Sequence, residues 1–155
     1  NDSKKLPENL RESLRKLIEK DALSWAVSMV MPEEIDRINI LNATFKAMHE
    51  SIGKLSPEPE FLLIDGNRFP RFPAIPHQCM VKGDGIYLAI AAASVLAKTH
   101  RDAYMRKIHL DFPQYGWDRN KAYGTDSHVH AIKTFGYTPH HRKSFQLKEL
   151  QMSLF

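Results

Sequence analysis

The chain has 155 residues, a length that suits one domain. It is 43% hydrophobic and 26% charged, enough apolar material for a real core under a surface typical of a soluble protein. A net charge of +4 and a pI of about 9.2 favour an anionic partner, the single cysteine (Cys79) excludes an internal disulfide and fits a reducing, cytoplasmic setting, and no apolar run approaches the ~20 residues of a membrane span.

Taken in order, residues 1–7 are polar and loop-like, with no initiator Met, and read like the middle of a longer protein. Residues 8–23 predict an amphipathic helix with Leu10, Leu14, Leu17 and Ile18 on one stripe. Residues 24–30 alternate, with Trp25, Val27 and Met29 facing one way, and predict a strand. Pro32 suits the first turn of a short helix, followed by a longer one over about 40–52. Phe61, Leu62, Leu63 and Ile64 form a continuous apolar run, expected to be a strand buried on both faces. Residues 67–76 form a proline-punctuated loop, and 79–81 a second short strand. A long helix is expected from about Tyr87 to Phe112. An aromatic and basic loop follows at 114–124, then a helix capped by Thr125 or Asp126 and stopped by Gly136. Strands alternating with helices argue an α/β layered domain, whose ligands sit outside the carboxyl ends of the strands.

Two carboxylates are placed there. Asp65 follows the first apolar strand in Asp65-Gly66-Asn67, and Asp84 stands between glycines in Val81-Lys82-Gly83-Asp84-Gly85. Each has a plainer explanation: Asp65 as a turn residue, Asp84 as a helix cap. As a pair at one sheet edge they suit a divalent cation, since Mg²⁺ takes one or two carboxylates with waters and phosphate oxygens. Tyr115, Trp117, Arg119, Lys121 and Tyr123 interleave aromatic and basic side chains, which suits either an ordinary surface or contact with phosphates and bases. The eight histidines form no convincing zinc set with Cys79. Asp102, in mid-helix beside Arg101, reads as an ion-pair partner of a neighbouring basic side chain.

The residues resemble the ribonuclease HII family, type 2 ribonuclease H. The likeness runs through Asn1-Asp2-Ser3-Lys4-Lys5, Leu63-Ile64-Asp65-Gly66-Asn67-Arg68, Val81-Lys82-Gly83-Asp84, Ile90-Ala91-Ala92-Ala93-Ser94-Val95-Leu96-Ala97-Lys98, Arg101-Asp102, Lys121-Ala122-Tyr123-Gly124 and His141-Arg142-Lys143-Ser144-Phe145. The resemblance implies a ribonuclease-H-like mixed sheet flanked by helices, in a catalytic domain over 1–145 with a tail at 146–155. It implies two-metal hydrolysis, with Mg²⁺ or Mn²⁺, of RNA in RNA/DNA hybrids and on the 5′ side of single ribonucleotides in duplex DNA. Asp65 and Asp84 match two of the family's four carboxylates. Tyr123 matches a tyrosine that stacks near the sugar, although Ala122 stands where the family has glycine.

The family's Asp-Glu-Ala-Gly-Arg-Gly segment, with two further carboxylates and the first two strands, is not found in the chain. The expectation is a truncated polypeptide, monomeric when intact, without activity of its own in this truncated form. Phosphate contacts are expected from Lys4, Lys5, Lys82, Lys121 and Arg142. The last five residues, with Gln151, Met152, Leu154 and Phe155, are similar to peptides that dock on the bacterial sliding clamp. The competing readings are a non-catalytic nucleic-acid-binding fragment and another Mg²⁺-dependent phosphotransferase.

Overall fold

A computed structural model describes residues 6–145 of the chain. Lys4, Lys5 and the tail with Gln151, Met152, Leu154 and Phe155 lie outside the described residues. The elements run α1 (Glu8–Asp21), α2 (Pro32–Ile52), β1 (Leu62–Asp65), β2 (His77–Met80), α3 (Leu88–His109), α4 (Trp117–Asn120) and α5 (Asp126–Phe135), with 3-10 turns at Gly83–Gly85 and Pro113–Tyr115. The expected α/β alternation is present. The residues fall into two units: those up to Met29 with Thr44–His100, and Val30–Ala43 with those from Arg101 onward.

The first unit is centred on β1 and β2, which pair in parallel with Leu62 opposite His77 and Asp65 opposite Met80. Leu62 and Ile64 are buried and Leu63 only partly so, which corrects the expectation of burial on both faces. One face of β1 packs with Ile75, Met48, Ile52, Phe69, Phe72 and Cys79, while Phe61 stays half exposed. Residues 24–30 are not a strand. No sheet partner stands beside them among the described residues, so alternation alone does not make a ladder. They are tied by side chains instead: Lys54 Nζ donates to Ser28 Oγ (2.8 Å), and the Ser56 amide donates to Ser24 Oγ (3.0 Å). The α1 stripe is also less buried than its spacing predicts, with Leu10 and Leu17 exposed and no residue of the helix fully buried. The helix is anchored through Glu19, which accepts from Arg15 (2.6 Å) and meets His100 Nε2 (2.9 Å).

The expected break between a short helix and a longer one is a kink inside α2. Asn39 there has φ 66°, and its side chain accepts from the Asn42 amide (3.1 Å), capping the second segment. In the second unit α3 ends at His109, short of Phe112. Pro113 disfavours a helical Phe112, which sits at φ −135°, ψ 60°. Thr125 caps α5, accepting from the His128 amide (3.4 Å), and Gly136 ends it at φ 78°. The core joins Met105, Ile108, Tyr115, Trp117, Ala131 and Ile132, with Tyr104, Phe112 and Ala122 against it.

That core corrects the reading of Tyr115 and Trp117 as surface residues, whether ordinary or in contact with phosphates and bases. Trp117 is 0% exposed, and its ring stacks on Tyr115 at 5.0 Å. Tyr115 and Trp117 face inward because they are the main aromatic bulk of the core between α3 and α5. Lys121 is only 9% exposed, and its ammonium donates to the Asp118 carbonyl. Of the aromatic residues in the loop, Tyr123 alone is exposed, at 58%.

Candidate active site

In the first unit, β1 delivers Asp65 to the strand's carboxyl end, where Asp65 Oδ1 accepts from the Gly83 amide (3.1 Å). The ladder closes beside it, with the Gly66 amide donating to the Met80 carbonyl (3.0 Å). β2 stops at Met80, so Asp84 does not end a strand. Lys82 turns the chain through the left-handed region (φ 58°), and Asp84 sits partly buried in the 3-10 turn that follows. Gly83 is required for space: an added Cβ would overlap the Ile90 side chain and crowd Met80. Asp65 therefore holds the turn that carries Asp84, and the two residues belong to one corner of the chain. Lys82 is exposed on the same turn.

The donor chemistry fits a hard divalent cation such as Mg²⁺ or Mn²⁺, which takes carboxylate oxygens together with water and phosphate. Among the described residues no group of three or more His, Cys, Asp or Glu side chains could hold an ion.

The second unit carries the other matched residues. Lys121 and Ala122 both have left-handed backbones, with φ 50° and φ 61°. Ala122 thus occupies a conformation that glycine adopts without cost, at the position where the family pattern has glycine. Arg101 spans this loop: its guanidinium donates to the Lys121 carbonyl (2.9 Å) and lies 5.2 Å from the centre of the Tyr123 ring. Arg142 lies 3.9 Å from Asp36 and 5.4 Å from the Phe145 ring centre. Asp36 also accepts from the Ser144 hydroxyl and the Lys143 amide (2.7 Å). The Ser144 bond, ahead of that amide, keeps its carboxyl below the ordinary carboxylate range.

Two features escaped the sequence reading. Asp102 is 3% exposed in α3, a burial that a carboxylate tolerates only with compensating partners. It stands between Arg101 and Ala103, neighbours that give no sign of its burial. His128 and His141 are also buried, and burial pushes both below the ordinary histidine range, His141 to about 4.

The sequence matches the family profile described as Ribonuclease HII over residues 1–148. The chain belongs to the ribonuclease HII family. It is similar to the ribonuclease HII of Bacteroides fragilis, at 56% identity over 100% of this chain and 78% of that protein. It is 57% identical to that of Parabacteroides distasonis, over 99% of the chain and 77% of the relative. The crystal structure of the ribonuclease H2 from Pyrococcus horikoshii shares the fold, with a TM-score of 0.78 at 21% identity, covering 94% of this chain and 76% of that one. The family assignment makes this a ribonuclease H-type hydrolase. No helix among the described residues is long and apolar enough to cross a membrane.

Proposed function

We propose that the protein is a cytoplasmic endoribonuclease that hydrolyses the RNA strand of RNA/DNA hybrids and cuts on the 5′ side of single ribonucleotides in duplex DNA. The observation that supports this most directly is the corner in which Asp65 binds the Gly83 amide and the turn presents Asp84. Asp65 and Asp84 would hold Mg²⁺ or Mn²⁺ with water and substrate phosphate. When bound, a pair of such ions supplies an activated water and charge stabilisation at the leaving oxygen. Lys82, exposed on the same turn, and Arg142 contact phosphates, which positions a duplex without reading its sequence. Tyr123 offers its exposed ring to a sugar.

The decisive experiment is cleavage of a duplex with one ribonucleotide by the intact protein and its variants. Asp65→Asn keeps an acceptor for the Gly83 amide, so the fold should survive while Mg²⁺-dependent cleavage falls. Asp65→Ala should lose both. Full cleavage by Asp84→Asn or Asp65→Asn would remove that residue from the site. A non-catalytic nucleic-acid-binding role is the alternative outcome: duplex binding with no cleavage under Mg²⁺ or Mn²⁺.

A further inference from the structure

The buried pair His128 and His141 has no part in the chemistry above, and its hydrogen bonds have a direction. His128 Nδ1 lies 3.0 Å from the Tyr123 carbonyl, which can only accept, so this nitrogen carries the proton. On a neutral ring Nε2 is then an acceptor, and Trp117 Nε1–H donates to it at 3.1 Å. The Thr138 amide, which can only donate, lies 3.0 Å from His141 Nδ1, so that nitrogen is bare and Nε2 carries the hydrogen. His141 Nε2 lies 3.2 Å from His128 Nε2, so its N–H shares with Trp117 Nε1–H the single lone pair of that nitrogen. One assignment of protons, with both rings neutral, sets no donor against a donor from Thr138 to Tyr123, with the bare nitrogens of His128 and His141 each shared between two neighbours.

A proton added to either ring breaks this order. A cationic His128 would set an N–H against those of Trp117 and His141, and a cationic His141 would set one against the Thr138 amide. Among the described residues, the groups recorded against the pair include no anion: they are the rings of His140, Tyr115, Tyr137 and Trp117, with Tyr104 bonded to His140 at 3.0 Å. The far end of the chain of bonds is the backbone of Tyr123, whose carbonyl also accepts from the Thr125 amide (2.8 Å). The preceding turn has two left-handed residues and is held by Asn120 Oδ1, which accepts from the Ala122 amide (2.8 Å).

We propose that His128 and His141 are positioning residues for the cleavage reaction, a buried neutral pair that fixes the Tyr123 backbone and so aims the exposed Tyr123 ring at the sugar of the substrate. The proposal rests on the substrate contact assigned to Tyr123. Neither histidine touches substrate. Without the pair the turn relaxes, and misplacement of a positioning group by 1 Å can cost up to about 10²-fold in rate.

The test uses the intact protein and a duplex containing one ribonucleotide. Nitrogen NMR of the native rings should find the proton on Nδ1 of His128 and on Nε2 of His141, both neutral at pH 7; the reverse tautomers, or a charged ring, overturn the proposal without any activity measurement. His128→Phe should lose cleavage by roughly 10- to 10²-fold. His128→Asn, whose amide N–H can replace Nδ1–H, should recover most of it. In a Tyr123→Ala background His128→Phe should have no further effect. An equal loss with and without the Tyr123 side chain shows a general structural role and overturns the proposal. A silent Tyr123→Ala alone overturns the assignment of Tyr123, while the NMR result still decides whether the pair is ordered as described.

Discussion

At the scale of single residues, the corner around Gly83 sets the tightest limits. A methyl at Gly83 has nowhere to go except into Ile90 and Met80, whereas one at Gly85 meets nothing within 4 Å. Gly83→Ala should therefore cost about 1–3 kcal/mol of stability, as overpacking does, while Gly85→Ala should stay within about 0.5 kcal/mol. Urea unfolding of the two variants measures the contrast; equal stabilities would show that Ile90 moves aside freely. The same corner explains why Asp65 is sensitive to the choice of replacement: an amide oxygen can serve Gly83, and a methyl cannot.

The element scale is represented by α5 and the segment 138–141 that packs on it. His141 is held near pKa 4 chiefly by burial, then by the neighbouring His128 and His140, and His128 is lowered as well. An unfolded histidine titrates near 6.5. Between these values the unfolded chain binds a proton that the folded one refuses, so stability rises with pH. The contribution is whole above about pH 6.5 and is lost as pH falls towards 4, with a slope of up to about 1.4 kcal/mol per pH unit from His141 alone. Asp36, whose carboxyl is lowered by Ser144, adds a loss of the same sign at more acid pH. Unfolding measured from pH 7.5 down to 4.5 should show this decline; a flat profile would mean that the histidines are solvated.

For the whole molecule, charge sets the expected response to salt. With a net charge of +4, duplex binding should weaken as salt rises. Replacing Lys82 and Arg142 by Gln should reduce the slope of log affinity against log salt by roughly 0.9 for each phosphate left without its cation. An unchanged slope would place the phosphate-binding cations elsewhere. Lys121 is a weaker candidate, because its ammonium is turned onto the Asp118 carbonyl. A polypeptide of only these 155 residues should cleave far more slowly than a protein that also carries the family's Asp-Glu-Ala-Gly-Arg-Gly segment, since two carboxylates are half the expected set. Equal cleavage by both would refute this. Docking of the last five residues on a sliding clamp is tested by an anisotropy titration with and without them.

Much of this protein is local and was legible in the chain. Thr125 and Gly136 mark the ends of α5 because a hydroxyl cap and a left-handed stop act within one turn. The apolar run before Asp65 marks β1, and the Gly-Asp-Gly turn marks the corner beside it. Residues 24–30 show the limit of such signals, since a strand also needs a neighbour that alternation does not supply. Burial was decided by tertiary structure. Tyr115, Trp117 and Lys121 have the composition of a nucleic-acid surface, yet the packing of α3 against α5 turns them into core. Asp102 and the ordered histidine pair were likewise out of reach of the sequence. A hydrogen-bond direction or a buried charge depends on which atoms arrive from distant parts of the chain, as Thr138, His141, His128 and Tyr123 do here.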